Sequence, residues 1–115
     1  KATGGRRVPA RGKRSTEISS EKQFALIGDP KRKIYRTTGG NVLVRVLSDN
    51  KCNVNDKNGK TSVATINTVI ANDANPNYIR RNILTKGAVV ETDKGNVKIT
   101  SRPGHDGILN GVIVE

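Results

Sequence analysis

The stretch TTGGNVLVRVLS, Thr37 to Ser48, carries the clearest structural signal in this chain. Within it, Val42, Val44 and Val46 fall on one side of an extended backbone, with Leu43, Arg45 and Leu47 on the other. That two-residue period is the pattern of a β-strand. A second short run, KIYR (Lys33 to Arg36), stands before it, and Gly39-Gly40 lies between the two. Two extended runs separated by paired glycines predict a β-hairpin.

The same pattern repeats toward the C-terminus. KCNVN reverses at DKNG (Asp56 to Gly59) into KTSVATINTVI, and Gly59 supplies the positive φ that a tight turn needs. GAVVET reverses at DKG (Asp93 to Gly95) into NVKITS. RPGHDG reads as a loop, and ILNGVIV (Ile108 to Val114) as a last strand. NDANPNYIRR interrupts the series. Its Asn75-Pro76 step marks a turn, with room for one helical turn after it. The expected fold is all-β: a small antiparallel barrel or sandwich of about six strands. Hydrophobic residues make up 33% of the chain and the aromatics are Phe24, Tyr35 and Tyr78, so the core must be small and aliphatic. A barrel suits that composition, because it closes its own edges and needs little core per strand.

Toward the N-terminus the strand pattern fades. STEISSEKQFALIGDP, residues 15–30, holds a helical possibility, with Ser15 or Thr16 as cap and Ile18 joining Phe24 and Ile27. Gly28 and Pro30 would end it. Residues 1–14 carry Lys1, Arg6, Arg7, Arg11, Lys13 and Arg14, no acid, and no aliphatic larger than alanine beyond Val8 and Pro9. Such a segment has no apolar surface to offset the entropy of ordering its backbone. The chain is therefore expected to comprise a basic arm, 1–14, disordered in isolation, and a β-barrel domain, 15–115. It starts with Lys rather than Met, so an upstream segment is expected to have been removed.

Charge narrows the function classes. The 115 residues carry a net charge of +11, of which residues 1–36 hold +8 and residues 37–115 hold +3. A balance of this kind speaks to partners rather than to fold, and favours a polyanion. An anionic membrane is the weaker partner, since the arm lacks an amphipathic face and a bulky apolar anchor. No apolar run approaches the roughly 20 residues of a membrane-spanning helix, and no hydrophobic stretch follows the cationic start as in a signal peptide.

Catalysis and metal binding find little to work with. Cys52 is a lone cysteine, which precludes an intrachain disulfide and suits a reducing cytoplasm. With His105 as its one potential companion it makes no zinc site. His105 and Asp106 are adjacent in a glycine-rich loop, so their side chains point apart, and no Ser or Cys can be assigned to them as nucleophile. TTGGNVLVRV lacks the Lys-Ser/Thr of a phosphate-binding P-loop. DKNG and DKG lack the alternating carboxylates of a calcium loop. The expected protein is not an enzyme and carries neither metal nor cofactor.

The cations form four clusters: Arg6, Arg7, Arg11, Lys13 and Arg14; Lys31, Arg32 and Lys33 with Arg36; Arg80 and Arg81 with Lys86; and Arg102. Guanidinium forks bind phosphate bidentately, which ammonium groups cannot do. Gly4, Gly5 and Gly12 let backbone approach a phosphate chain closely. Without a strip of aromatic residues for base stacking, the reading is recognition of RNA shape and backbone rather than bases.

Several stretches also resemble a known family. PKRKIYRTTGGN (Pro30 to Asn41), NPNYIRRNILTKGAVVET (Asn75 to Thr92), TSRPGHDGILNGVIVE (Thr100 to Glu115) and the opening KATGGRR are similar to small-subunit ribosomal protein eight of the eukaryotic type, shared by archaea and eukaryotes. The motifs occur in order over nearly the whole chain, and the compact length resembles archaeal members. Two positions depart from the family pattern. His105 stands where Gln is expected, and Val42-Leu43 replaces a more polar, basic pair. The resemblance implies a cytoplasmic, ribosomal protein that binds small-subunit rRNA through a β-barrel and a basic extension. It also implies neighbouring ribosomal proteins as partners and no small-molecule substrate. The clusters above are then the expected RNA contacts. A free-standing RNA-binding or RNA-chaperone module uses the same features, and an enzyme acting on RNA would need His105 as its base.

Overall fold

A computed structural model of the chain describes residues 1–114. It contains eight strands in two sheets. β1 (Leu26–Ile27), β2 (Lys31–Arg36) and β3 (Val42–Asp49) form a small sheet in the order β1-β3-β2. β4 (Lys51–Asn55), β5 (Thr61–Ala71), β6 (Val89–Thr92), β7 (Gly95–Ile99) and β8 (Asn110–Ile113) close into a five-stranded barrel. The expected all-β small barrel is therefore present, and the hairpin that signals it most clearly lies outside the closed ring.

Successive pairings around the ring from β4 to β8 are antiparallel, but β4 and β8 pair in parallel. An odd number of alternating strands leaves the first and last pointing the same way, so closure at five requires this. β5 pairs with β4 through Thr61–Thr65 and with β6 through Ile66–Ala71, and its register shifts between Ile66 and Thr68 and again between Val69 and Ala71. Such irregularities bend a strand and sharpen its twist, which lets an 11-residue strand wrap two neighbours.

The turns obey their local chemistry. β2 and β3 are joined across Thr37–Asn41, where Thr37 N–H donates to Asn41 C=O at 2.7 Å and Gly39 and Gly40 take φ of +80° and +74°. At Asp56–Gly59 the Gly59 N–H donates to Asp56 C=O at 2.9 Å, with Gly59 at φ +81°. Gly95 closes the third turn at φ +111°. The Asn75-Pro76 turn is followed by one helical turn, α1 (Asn77–Arg80).

Two local expectations change. RPGHDG is not all loop: Pro103–Asp106 form a helical turn, α2, opened by Pro103 and closed by Gly107 at φ +72°. Asp106 Oδ2 accepts the Arg102 N–H at 2.9 Å, which closes the turn on itself. Residues 15–30 hold no α-helix. A 3-10 turn at Ser15–Glu17 is followed by extended chain into β1. Ile18 is 62% exposed, so it gives a helix here no buried anchor.

The core is aliphatic, as the composition requires. Cys52, Val54, Ala64, Ile66, Val69, Val90, Val97 and Ile99 of the barrel strands form the core, and Leu84, Ala88 and Leu109, outside those strands, are buried with them. Cys52 is 1% exposed. Burial, and secondarily the nearby Asp49 charge, pushes its thiol up from the ordinary 9.0 to about 11. The folded state thus prefers the neutral thiol. That contribution is whole below the unfolded value of 9.0 and is lost as pH rises toward about 11. Chemical-denaturation midpoints taken across this window should fall more steeply for the parent than for Cys52→Ala. Parallel curves would contradict this burial effect.

Candidate nucleic-acid interface

Every residue from 1 to 23 is exposed. The radius of gyration is 18.6 Å, against about 13 Å for a compact chain of this length. The basic segment thus stands away from the barrel. Its few contacts are local: Gly4 N–H donates to Lys1 C=O at 3.0 Å, and Arg11 grips the Glu17 carboxylate with Nη2–Oε1 at 2.6 Å and Nη1–Oε2 at 3.2 Å. The Arg11 guanidinium, helped by the Arg14 backbone N–H, holds the Glu17 carboxyl below its ordinary range. Arg6, Arg7, Lys13 and Arg14 have no carboxylate partner among the described residues.

The chain reaches the body of the protein at residues 23–25. Leu84 N–H donates to Ala25 C=O at 2.8 Å, forming a bridge between the N-terminal segment and the segment between α1 and β6. Phe24 packs on Tyr78 with centroids 5.4 Å apart, and the Arg81 guanidinium lies 4.9 Å from the Phe24 centroid. Gln23, Phe24 and Ala25 share a surface concavity of about 230 Å³ with Lys86 and Arg102. Gln23 Oε1 also accepts the Tyr35 hydroxyl from β2. The extended segment that follows residues 1–14, the second cationic patch and the β2 strand therefore meet around Gln23 and Phe24. Linear spacing of the clusters gives no sign of this, because the residues that join them are uncharged.

Lys31, Lys33, Arg36, Arg80, Arg81, Lys86 and Arg102 are all exposed and have no carboxylate partner among the described residues. Arg32 differs. Its Nη2 pairs with Asp49 Oδ2 at 2.6 Å and its Nε donates to Gly107 C=O at 2.9 Å. Asp49 is 3% exposed, and its Oδ1 also accepts the backbone N–H groups of Asn50 at 2.8 Å and Lys51 at 3.1 Å. Gly107 lies against Val44 so closely that a Cβ there would come within 3.1 Å of the Val44 backbone oxygen and Cβ. Arg32 thus clamps the small sheet to the barrel through Gly107, with Asp49 holding its guanidinium in place. Asp49→Asn should cost about 2 kcal/mol, the scale of a hydrogen bond to a charged group in a mostly buried site. An unchanged urea midpoint would refute the clamp.

Arg45 was not among the residues expected from sequence. Its Cζ lies 5.0 Å from the Tyr35 centroid, beside Lys33 Nζ at 5.2 Å. The strand period places it beside Leu43 and Leu47, but the cross-strand register that brings it to Lys33 is not a local property. His105 is exposed, and Cys52 is buried inside the barrel. No group of three or more His, Cys, Asp or Glu side chains is placed to hold a metal ion among the described residues. No helix among them is long and apolar enough to cross a membrane.

These features define a class: a small, strongly cationic β-barrel protein whose basic residues are gathered on an extended arm and beside the point where it joins the barrel. Comparison with known proteins is specific within that class. The family model described as Ribosomal protein S8e matches residues 1–114. Small ribosomal subunit protein eS8 of Methanosarcina barkeri is 51% identical over 116 residues, spanning 100% of this chain and 93% of the relative. The proteins of the same name from Methanobrevibacter smithii and Methanoregula boonei are 48% and 50% identical, covering 97% and 99% of this chain and 90% and 92% of their own lengths. The chain belongs to the ribosomal protein S8e family.

Proposed function

We propose that this protein is a structural constituent of the small ribosomal subunit, which binds rRNA through phosphate contacts, lies beside other ribosomal proteins in the cytoplasm and supports translation without catalysis. One observation supports the RNA contact most directly: Arg81, Lys86 and Arg102 gather beside Gln23 and Phe24, far from them in sequence, with no carboxylate partner among the described residues. Family membership supplies the particular polyanion. Residues 1–14 act as an arm, disordered when the protein is free and ordered by RNA phosphates. Arg6, Arg7, Lys13 and Arg14 bind directly, and Arg11 does so by exchanging Glu17 for phosphate. Lys31, Arg32, Lys33 and Arg36 carry the contact along β2, and Arg80, Arg81, Lys86 and Arg102 form the second patch. Residues 15–115 serve as the barrel domain that presents these groups.

The test is retention on the particle. Small subunits washed in high salt should keep the protein, and hydroxyl-radical footprints on small-subunit RNA should map to the arm and the second patch. Release from the particle at moderate salt, with RNA-annealing activity in the free fraction, would instead identify a free-standing RNA chaperone. His105→Gln should leave retention unchanged, while loss of a measured RNA-processing activity in that variant would indicate an enzyme.

A further inference from the structure

One face of the β2–β3 hairpin holds two cations that nothing balances. Lys33 on β2 stands directly opposite Arg45 on β3 in the antiparallel register. Residues paired in this way have Cβ atoms about 4.5–5.5 Å apart, and like charges there repel. Neither has a carboxylate partner among the described residues. Tyr35 shares their face, two residues along β2 from Lys33. Both cations lie within cation–π distance of its ring, at 5.2 Å and 5.0 Å from the centroid. The Tyr35 hydroxyl donates to Gln23 Oε1, which fixes the ring's far end. Arg45 Nε is buried and has no hydrogen-bond acceptor among the described residues. Unsatisfied buried donors are rare, and each one calls for a reason.

A single oxyanion arriving from solvent would cancel the repulsion, accepting from the guanidinium Nη groups and the ammonium while Nε stays buried. We infer that Lys33, Arg45 and Tyr35 form a site for one backbone phosphate of RNA, in which Tyr35 positions the two cations rather than stacking on a base. Phosphate suits the pair because its oxygens can take a guanidinium fork and an ammonium donor together. The inference rests on the RNA-binding function proposed above. It adds Arg45, a residue in the middle of a mostly apolar strand, and gives Tyr35 a role that a chain poor in aromatics would otherwise leave unused.

The test uses the intact chain and a small-subunit rRNA fragment, with affinity measured against salt. Because the two cations share one phosphate, Lys33→Gln and Arg45→Gln should each lower affinity several-fold. Each should also flatten the salt slope by the amount of one phosphate, about 0.7–0.9 units. The double variant should flatten it no further. Tyr35→Phe should keep parental affinity. Tyr35→Leu should weaken binding in the parent and do nothing in the Lys33→Gln/Arg45→Gln background. Thermal unfolding of Arg45→Gln should show a midpoint no lower than the parent's, since a repulsion has been removed. Additive slopes for the two cations would overturn the shared site. A Tyr35→Leu effect that persists without the cations would overturn the positioning role in favour of base stacking. Parental slopes in every hairpin variant, with arm deletion still flattening the slope, would reject the site while leaving RNA binding intact. A flat slope in the parent itself would reject the RNA-binding reading.

Discussion

Binding of the intact chain to a small-subunit rRNA fragment should weaken by about 10³–10⁵ between roughly 50 and 200 mM salt, if it engages 6–10 phosphates as a duplex-binding protein would. Each neutralised phosphate releases condensed counterions, and that release is worth less as bulk salt rises. Residues 1–14 contribute Lys1, Arg6, Arg7, Arg11, Lys13 and Arg14. Deleting them should flatten the log–log slope by roughly 4–5 units, at about 0.7–0.9 units per phosphate. Charge-neutral replacement of Arg80 and Arg81 should flatten it by about 1–2 units on the same scale. Neither change should alter the preference between RNAs of one shape but different sequence, since phosphate contacts position rather than specify. A shallow slope in the intact protein, combined with strong discrimination between single-base variants of an unpaired loop, would mean base readout and defeat this account.

Gly111→Ala should be among the most damaging single substitutions in the barrel. A Cβ at this position would stand 2.4 Å from Val97 Cγ1 and 2.9 Å from the Lys98 backbone oxygen. Val97 is fully buried, so it has nowhere to retreat. Gly111 pairs with Val54 on β4 and with Ile99 on β7, so the added methyl forces apart both ladders that close the ring. Overpacking of this kind costs about 3 kcal/mol, a large share of the 5–15 kcal/mol or so that holds a small domain folded. The thermal midpoint should drop by about 15 °C, at roughly 4–8 °C per kcal/mol. Val97→Ala in the same chain should recover part of the loss. Gly104→Ala, where nothing lies within 4 Å, should be nearly silent. Gly59→Val should cost about 1 kcal/mol through backbone strain alone, because its φ is +81° but its surroundings are open. A Gly111→Ala midpoint within about 2 °C of the parent would show that the ring can open enough to admit the methyl, contrary to the stated cost.

Strand period and turn chemistry are properties of a few consecutive residues. Val42 to Leu47, the DKNG and DKG reversals and the helical turn after Asn75-Pro76 were therefore readable along the chain. So was the division of charge, with +8 in residues 1–36, because it needs no geometry. The 102–107 segment was harder: its one helical turn depends on Pro103 at its start and Gly107 at its end, which also mark loops. In residues 15–30 the spacing of Ile18, Phe24 and Ile27 matched a helix, but Phe24 and Ile27 reach their partners from extended chain and Ile18 stays exposed.

What the amino-acid order settled unaided was the β class, the aliphatic core and the concentration of positive charge toward the N-terminus. Pairing settled the rest. The parallel β4–β8 closure follows from strand number, which depends on which strands leave the ring to form the second sheet. Arg32 reads like its neighbours Lys31 and Lys33, and becomes a clamp because Asp49 and Gly107 fold against it. Gly111 reads as an ordinary strand glycine until Val97 is packed behind it. The second cationic patch and β2 meet at Gln23 and Phe24 through contacts between residues 12 to about 80 positions apart. Such contacts are chosen by the packing of the whole chain, and no local window of sequence contains them.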